Sequence, residues 1–321
     1  MSGNATTWVF DAEDGVYKNH TISGQLLTAA AKRFIVVPFT RLNKDFGKKK
    51  GEYITLVHWK PLTIPTSAVI DPENNRVPID RMVMGTRAIK VLAMGRGAEY
   101  TSLMQDLSIF DPEAGCQKLL RDQMAEVMDN TAAAAYKRAK VIFTPTSLTG
   151  GVWDTDGTPS TAATENMTAD HLGIIRDYMA TNLHVPLING DHYAGLFATK
   201  ALRGLKSDKR MEAWNLYLQK GEVIYRSEAG RCEQVRMVES VNTGAFSNAI
   251  GTGNCTGQGV IFGEESVTRI EAGAPHLRAN PNFQGNFGLL KACIWYGLVA
   301  FDTTWDSAND REAKIVRWDS A

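Results

Sequence analysis

The stretch Asp111–Lys140 reads DPEAGCQKLLRDQMAEVMDNTAAAAYKRAK, and it predicts one long helix. Asp111 suits the N-cap position, and Pro112 suits the first helical position, where a missing N–H costs nothing. From Leu120 onward, apolar side chains recur at steps of three and four residues, which gives the helix one apolar face. The basic residues that end the stretch place positive charge in the expected last turn. About 28 residues at about 1.5 Å each make a rod of about 42 Å.

A helix of more than twice the usual length has two interpretations. It can be a structural spine with a β-hairpin before it and a compact domain after it. It can also be a long core helix in an ordinary α/β enzyme. We call it the spine helix, and the sequence on either side of it favours the first interpretation.

The overall composition is typical of a globular protein with one large domain or two of medium size. The chain has 321 residues, of which 44% are hydrophobic and 22% are charged. Lys and Arg together number 35, as do Asp and Glu, so the formal net charge is zero. A zero net charge gives no overall basic field for binding nucleic acid, and it permits copies of the chain to associate.

The cysteines do not form a metal-binding or disulfide pattern. Cys116, Cys232, Cys255 and Cys293 are scattered without a CxxC pair, which predicts reduced thiols in a cytosolic environment. The N-terminus lacks the basic and apolar regions of a signal peptide, and no apolar run approaches about 20 residues. The sequence therefore predicts no membrane partner.

The segment before the spine helix is rich in β-forming residues. Residues 52–62 and 79–94 predict two strands, with a polar tip near residues 71–75 between them. Such a hairpin is marginal in water by itself, so a projecting one should rest on another subunit. The alternative is two strands of an ordinary sheet. Residues 1–45, which are small and polar at first, predict an arm that lies on the rest of the chain or on a neighbour.

The segment after the spine helix predicts a compact α/β region. Thr168 is expected to cap a helix that runs to about Leu183, and residues 191–205 are expected to form another helix. Apolar strands are expected at 260–263 and 293–304, and 315–318 is expected to be the last element.

Three stretches, taken in order, carry a resemblance to a known family. They are Glu99–Leu107 with Asp111–Ala135, then Gln219–Ile224 with Val235–Ser240, and finally Val260–Glu265 with the segment that closes at Trp318. Together they resemble the major capsid proteins of tailed bacteriophages of the Hong Kong 97 type, in the subgroup typified by the coliphage N-four coat protein. The resemblance spans about residues 45–318.

The resemblance implies an α+β capsid fold with five parts. These parts are an N-terminal arm (1–45), an extended β-hairpin loop (46–98), a peripheral domain with the spine helix (99–167), an axial domain (168–290) and returning strands of the peripheral domain (291–321). The implied function is self-assembly, through hexamers and pentamers, into an icosahedral head. The implied location is the virion capsid, assembled in the cytoplasm of the bacterial host.

The resemblance also implies partners. No charged, scaffold-like domain precedes the arm, so it implies a separate scaffolding protein, besides a portal, packaged double-stranded DNA and, in some heads, a decoration protein. An encapsulin-like compartment shell shares this fold and would enclose cargo protein instead of DNA.

Six residues are candidates for contacts between subunits. Lys48, Lys49 and Lys50 form the densest basic run, which is either a solvated turn or a contact with an acidic neighbour or with DNA. Trp59, Met82 and Met84 are candidates for apolar contacts, because aromatic and sulfur-bearing side chains contribute most at interfaces.

An enzymatic alternative depends on a glycine-rich loop. Residues 251–257 read GTGNCTG, which is close to a dinucleotide-binding loop, but the third glycine is one position late. The histidines lie in no HExxH arrangement, and there is no GxSxG motif. The sequence therefore predicts no catalytic, metal-binding or cofactor-binding residue and no cofactor, and a cytosolic nucleotide-binding enzyme remains the alternative from a different class.

Overall fold

The structure is a computed structural model. It describes residues 34–43, 51–62, 65, 79–108, 111–210, 228–249, 257–285, 289–303 and 311–321, with the backbone alone at 278–285. Most of the predicted arm, the predicted hairpin tip, the basic run Lys48–Lys50 and most of the glycine-rich loop lie outside these residues. No helix in the described part of the chain has the length and apolar character needed to cross a bilayer.

Strands make up most of the described regular structure. The helices are α1 (Ser102–Leu107), α2 (Pro112–Tyr136), α3 (Ala169–Thr181) and α4 (Arg203–Lys206), and a short 3-10 helix spans Val37–Phe39. The strands are β1 (Arg41–Asn43), β2 (Tyr53–Trp59), β3 (Met84–Lys90), β4 (Leu92–Thr101), β5 (Val141–Ser147), β6 (Gly150–Asp154), β7 (Tyr193–Ala198), β8 (Glu228–Cys232), β9 (Val235–Ser240), β10 (Gly259–Phe262), β11 (Thr268–Gly285), β12 (Leu290–Asp302) and β13 (Ile315–Trp318).

The spine helix is α2, and it begins where the sequence predicts. Asp111 Oδ1 accepts the backbone N–H of Glu113 at 3.0 Å, which satisfies one of the unpaired donors of the first turn. The helix ends at Tyr136, four residues earlier than predicted, because the chain must become extended for β5 at Val141. Its 25 residues give a length of about 38 Å, and the expected basic last turn was wrong, since Lys137 is already the C-cap.

The spine helix packs against two cores. Its first half lies on a four-stranded sheet of order β1-β11-β12-β4, where Leu120 packs with Tyr100 and Trp295. Its second half, from Met128 to Tyr136, enters the main core of the protein. The run of small alanines permits this close approach, because Ala132 and Ala133 are fully buried. The helix therefore joins the two cores, as expected of a spine.

The main core lies on a seven-stranded mixed sheet of order β6-β5-β13-β10-β7-β9-β8, with α3 packed against it. Thr168 is the N-cap of α3, as predicted. The helix expected over 191–205 was wrong, because the chain forms β7 there. β7 is buried along its whole length between β9 and β10, so its residues show no alternation that would reveal a strand.

The sheets combine strands from different parts of the chain as the sequence divides it. Residues 291–321 contribute to both sheets, since β12 lies in the four-stranded sheet and β13 in the seven-stranded one. Likewise β11, which lies within the range 168–290, pairs with β12, and β5, which lies within the range 99–167, pairs with β13.

The chain forms the predicted hairpin between β2 and β3, which pair antiparallel in a sheet of their own. The second strand is shorter than expected. It ends at Lys90, and after one residue the chain continues as β4, which pairs with β12. Residues 92–98 thus belong to the four-stranded sheet, and Val91 marks the point where the chain leaves the hairpin.

A buried histidine, His171 of α3, packs against the seven-stranded sheet. His171 Nδ1 accepts the Thr168 N–H at 3.1 Å, which leaves Nε2–H to donate to the Ser147 carbonyl at 2.7 Å. Its ring lies near those of Phe143 and Trp318. Burial lowers the pKa of His171, although its contact with Ser147 opposes that effect.

We expect the free energy of unfolding to fall as the pH drops below about 6.5. The unfolded chain takes up a proton at His171 near that pH, whereas the folded chain takes it up only at lower pH, so the stability is complete above 6.5 and declines below it. Urea denaturation at pH 7.5 and 5.5 measures the difference. A His171→Gln variant, which can keep the cap contact and does not titrate, should show a smaller difference; an unchanged one would contradict this assignment.

Candidate subunit interface

The hairpin carries a row of exposed apolar side chains on its outer face. Along β2 the side chains alternate between exposed and partly buried, and Tyr53, Val57 and Trp59 point outward. Trp59 pairs directly with Met84 across the two strands, and the two are 58% and 52% exposed. Met82, just before β3, is 68% exposed. An apolar row of this kind is typical of a surface that another molecule covers.

The structure thus brings together three of the six residues that the sequence proposed for contacts. Trp59, Met82 and Met84 lie at the same end of the hairpin. The other three, Lys48, Lys49 and Lys50, lie outside the described residues. The role of all six residues in contacts between subunits stays a prediction.

A second exposed apolar surface lies on α1. This helix has its apolar side chains Leu103, Met104 and Leu107 exposed, and Leu107 is 75% exposed. Its polar Gln105 is less exposed than these three and accepts a hydrogen bond from Lys291 Nζ at 2.6 Å. This arrangement is the reverse of an ordinary amphipathic surface helix. It exposes apolar area that a folded monomer does not cover.

Sequence reasoning missed α1 and two residues of the hairpin face. The sequence does carry a signal for the start of α1, since threonine is a common N-cap residue. In the structure, Thr101 is that cap, and its side chain accepts the N–H of Met104. The spacing of Leu103, Met104 and Leu107 fits one helical face. However, such spacing does not say whether the face points to the core or to solvent. Tyr53 and Val57 could have been found from the two-residue period of a strand, which places both on the same face as Trp59.

The chemical alternatives find no support at this surface. The described residues contain no group of three or more His, Cys, Asp or Glu side chains placed to hold a metal ion. Residues 251–256 of the glycine-rich loop lie outside the described part, but its surroundings are described. Turns and bends precede it at 243–249 and strand β10 follows it, whereas a dinucleotide site needs a strand before the loop and a helix after it.

The parts described above define a class of fold. A two-stranded hairpin, a long helix on a four-stranded sheet and a second region built on a larger mixed sheet together make the Hong Kong 97-type capsid fold. Similar solved structures agree over nearly the whole chain.

Individual structures show how complete the similarity is. The capsid of Ralstonia phage GP4 matches with a TM-score of 0.68 and 12% identity, over 98% of this chain and 99% of that one. The capsid of cyanophage Pam1 matches with a TM-score of 0.68 and 14% identity, over 95% and 97%. The acid-stable capsid of Helicobacter pylori bacteriophage KHP30 matches with a TM-score of 0.61 and 10% identity, over 99% of both chains. A comparison with protein-family models gives no match, and neither does a comparison with curated proteins.

Proposed function

We propose that this chain is the major capsid protein of a tailed bacteriophage and that it assembles with copies of itself into a closed icosahedral shell. One observation carries the proposal: the chain and the phage GP4 capsid protein cover one another almost completely, at 98% and 99%. The similarity spans nearly all of both chains, so it supports a structural role for the fold as a whole. The role is structural, and the location is the virion capsid.

The exposed surfaces suggest how the shell is held together. We propose that the hairpin face at Trp59, Met82 and Met84 contacts an adjacent subunit. In the monomer those side chains expose apolar area to solvent, and burying that area is favourable. The apolar face of α1 is a second contact surface. Contacts between different surfaces of successive copies are head-to-tail, and they form closed rings such as hexamers and pentamers when the rotation between copies closes.

The two sheet regions have separate roles in this proposal. The four-stranded sheet with the spine helix forms the peripheral domain, and most of residues 168–290 form the axial domain near the symmetry axes. The arm and the basic run Lys48–Lys50 reach a neighbour, and the packaged double-stranded DNA lies inside. A scaffolding protein, a portal and a decoration protein complete the set of partners, and assembly takes place in the host cytoplasm. The coat protein of coliphage N-four typifies the subgroup to which we assign the chain.

Negative-stain microscopy with size-exclusion chromatography of the purified full chain tests the proposal. We expect closed shells, or hexamers and pentamers. A monomer or small dimer that stays unchanged at high protein concentration would count against it. The content of shells recovered from the native source separates the two shell functions, because DNA supports a phage head and a protein cargo supports a compartment shell.

A further inference from the structure

Two buried carboxylates lie against the inner face of the hairpin, on the side away from its exposed apolar row. They belong to Asp302, the last residue of β12, and to Glu312, which precedes β13. Their side chains are only 10% and 5% exposed. Burying a charge is costly unless a partner compensates it, so the partners of these two groups are informative.

The partners of both carboxylates include hairpin residues. Glu312 Oε2 lies 3.4 Å from His58 Nε2, and Glu312 Oε1 lies 3.3 Å from Lys60 Nζ, so both groups come from β2 or the residue after it. Asp302 Oδ2 lies 3.5 Å from Arg87 Nη2, which is on β3. Both strands of the hairpin are therefore attached by charge.

The two carboxylates belong to segments that connect with different sheets. Asp302 ends a strand of the four-stranded sheet, where its Oδ1 also faces Arg138 and accepts the Thr303 N–H at 2.9 Å. Glu312 leads into the seven-stranded sheet. The hairpin therefore contacts both regions of the fold at once, although its described strands β2 and β3 pair only with each other.

Apolar packing under the hairpin is small. The cluster below the hairpin contains three buried side chains, Ile89, Ile270 and Ala300, with partly buried neighbours. The chain also leaves the hairpin through the single residue Val91. His58 fits closely because its ring lies over Gly85, where even a Cβ would come within 2.3 Å of Nε2.

We propose that Asp302 and Glu312 form an electrostatic clamp that sets the orientation of the hairpin against both sheets. Without the clamp, the hairpin moves away about Val91 while the two sheets stay folded. An undocked two-stranded hairpin is marginal in water, so its strand-to-strand hydrogen bonds open more often. The clamp thereby couples the direction of the hairpin to the relative position of the two sheets.

Hydrogen exchange of the full chain tests the clamp with a double-mutant cycle. Lys60→Met removes the ammonium group that faces the buried Glu312 carboxylate and leaves His58 as its remaining hairpin contact, and we expect the β2 and β3 amides to exchange at least about tenfold faster. Glu312→Gln removes the charge as well as the pair, so its effect should be smaller. The double variant should resemble Glu312→Gln alone. Once Glu312→Gln has removed the buried charge, the loss of the Lys60 ammonium group leaves no carboxylate without that partner.

A matched control is another buried acid–base pair, Arg236 with Glu228, at 3.2 Å in the seven-stranded sheet. Glu228→Gln should leave the exchange of the hairpin amides unchanged. Hairpin exchange within about twofold of the parent chain in both Lys60→Met and Glu312→Gln would overturn the proposal. So would additive effects in the double variant, or an equal effect of Glu228→Gln. The measurement needs no shell, so it is independent of the assembly test.

Discussion

Replacing Asp129 by alanine should lower the free energy of unfolding by about 3–5 kcal/mol, because three backbone donors, two of them buried, lose their acceptor. Asp129 lies on the spine helix and is 1% exposed. Its Oδ2 accepts the Ile35 N–H at 2.7 Å, and its Oδ1 accepts the Val36 and Val37 N–H groups at 3.1 Å each. One carboxylate thus fixes the segment that leads into β1.

Burial raises the pKa of Asp129, and the three N–H groups oppose that rise. The carboxylate is therefore held at a cost, which the three hydrogen bonds offset. The loss in the variant has an upper limit, since residues 34–43 can detach and expose their donors to water. Other contacts resist detachment, such as the hydrogen bond from Tyr136 Oη to the Phe39 carbonyl at 3.0 Å and the pairing of β1 with β11.

Asparagine at the same position gives a graded result. It keeps the shape of the side chain, but its amide nitrogen is a donor that must face one or two backbone N–H groups. We expect a loss of about 1–3 kcal/mol. Asp122→Ala, on the same helix and less buried, is the matched control and should change stability by no more than about 0.5 kcal/mol.

Chemical denaturation and hydrogen exchange of residues 35–43 measure both parts of this prediction. Faster exchange confined to that segment, with a smaller global change, would mean that it detaches first. An Asp129→Ala variant as stable as Asp122→Ala would contradict the role of the carboxylate.

The beginning of the spine helix could be predicted because its signals are local. Asp111 and Pro112 specify the start through the geometry of the first turn alone. The role of Asp129 could not be predicted in the same way. Its partners are 92 to 94 residues away in the chain, and nothing in the helical pattern distinguishes it from a solvent-facing aspartate.

The strand β7 shows a different limit of sequence reasoning. Its residues, YAGLFA, include good helix formers, and a strand buried on both faces has no alternation. Tertiary packing decides the outcome. Gly195 lies so close to Phe197 that a Cβ there would come within 2.5 Å of the ring. Glycine weakens a helix, but at this position of the strand it is the residue that fits.

The candidate interface was predictable in kind and only partly in detail. Trp59 and Met84 were chosen for their chemistry, and the strand register then made them direct neighbours. The apolar face of α1 was missed, because exposure is a property of the folded chain. A sequence pattern predicts which side chains share a face of a helix. Whether that face points to the core or to solvent depends on contacts such as that of Lys291 with Gln105.

Changing Trp59 to serine should abolish or strongly reduce shell assembly while leaving the subunit folded. In the monomer Trp59 is largely exposed, so the folded chain loses little beyond its cross-strand contact with Met84, about 0.2–1 kcal/mol. At an interface, a buried tryptophan can contribute 2 kcal/mol or more, roughly a thirtyfold change in each contact. A shell repeats that contact in every subunit, so the losses accumulate before closure can compensate for them.

The matched variant is Trp59→Phe, which keeps an aromatic side chain of smaller area and should still assemble, with a higher critical concentration. Thr55→Ser, on the same face of β2, should assemble like the parent chain. Light scattering and negative-stain microscopy measure assembly, and thermal melting checks that each subunit is folded. Shells of normal yield from Trp59→Ser would show that the hairpin face does not hold neighbours together. The apolar face of α1 would then be the surface to substitute, starting at Leu107. Since the two surfaces lie on different elements, losing assembly through one and not the other identifies which contact closes the ring.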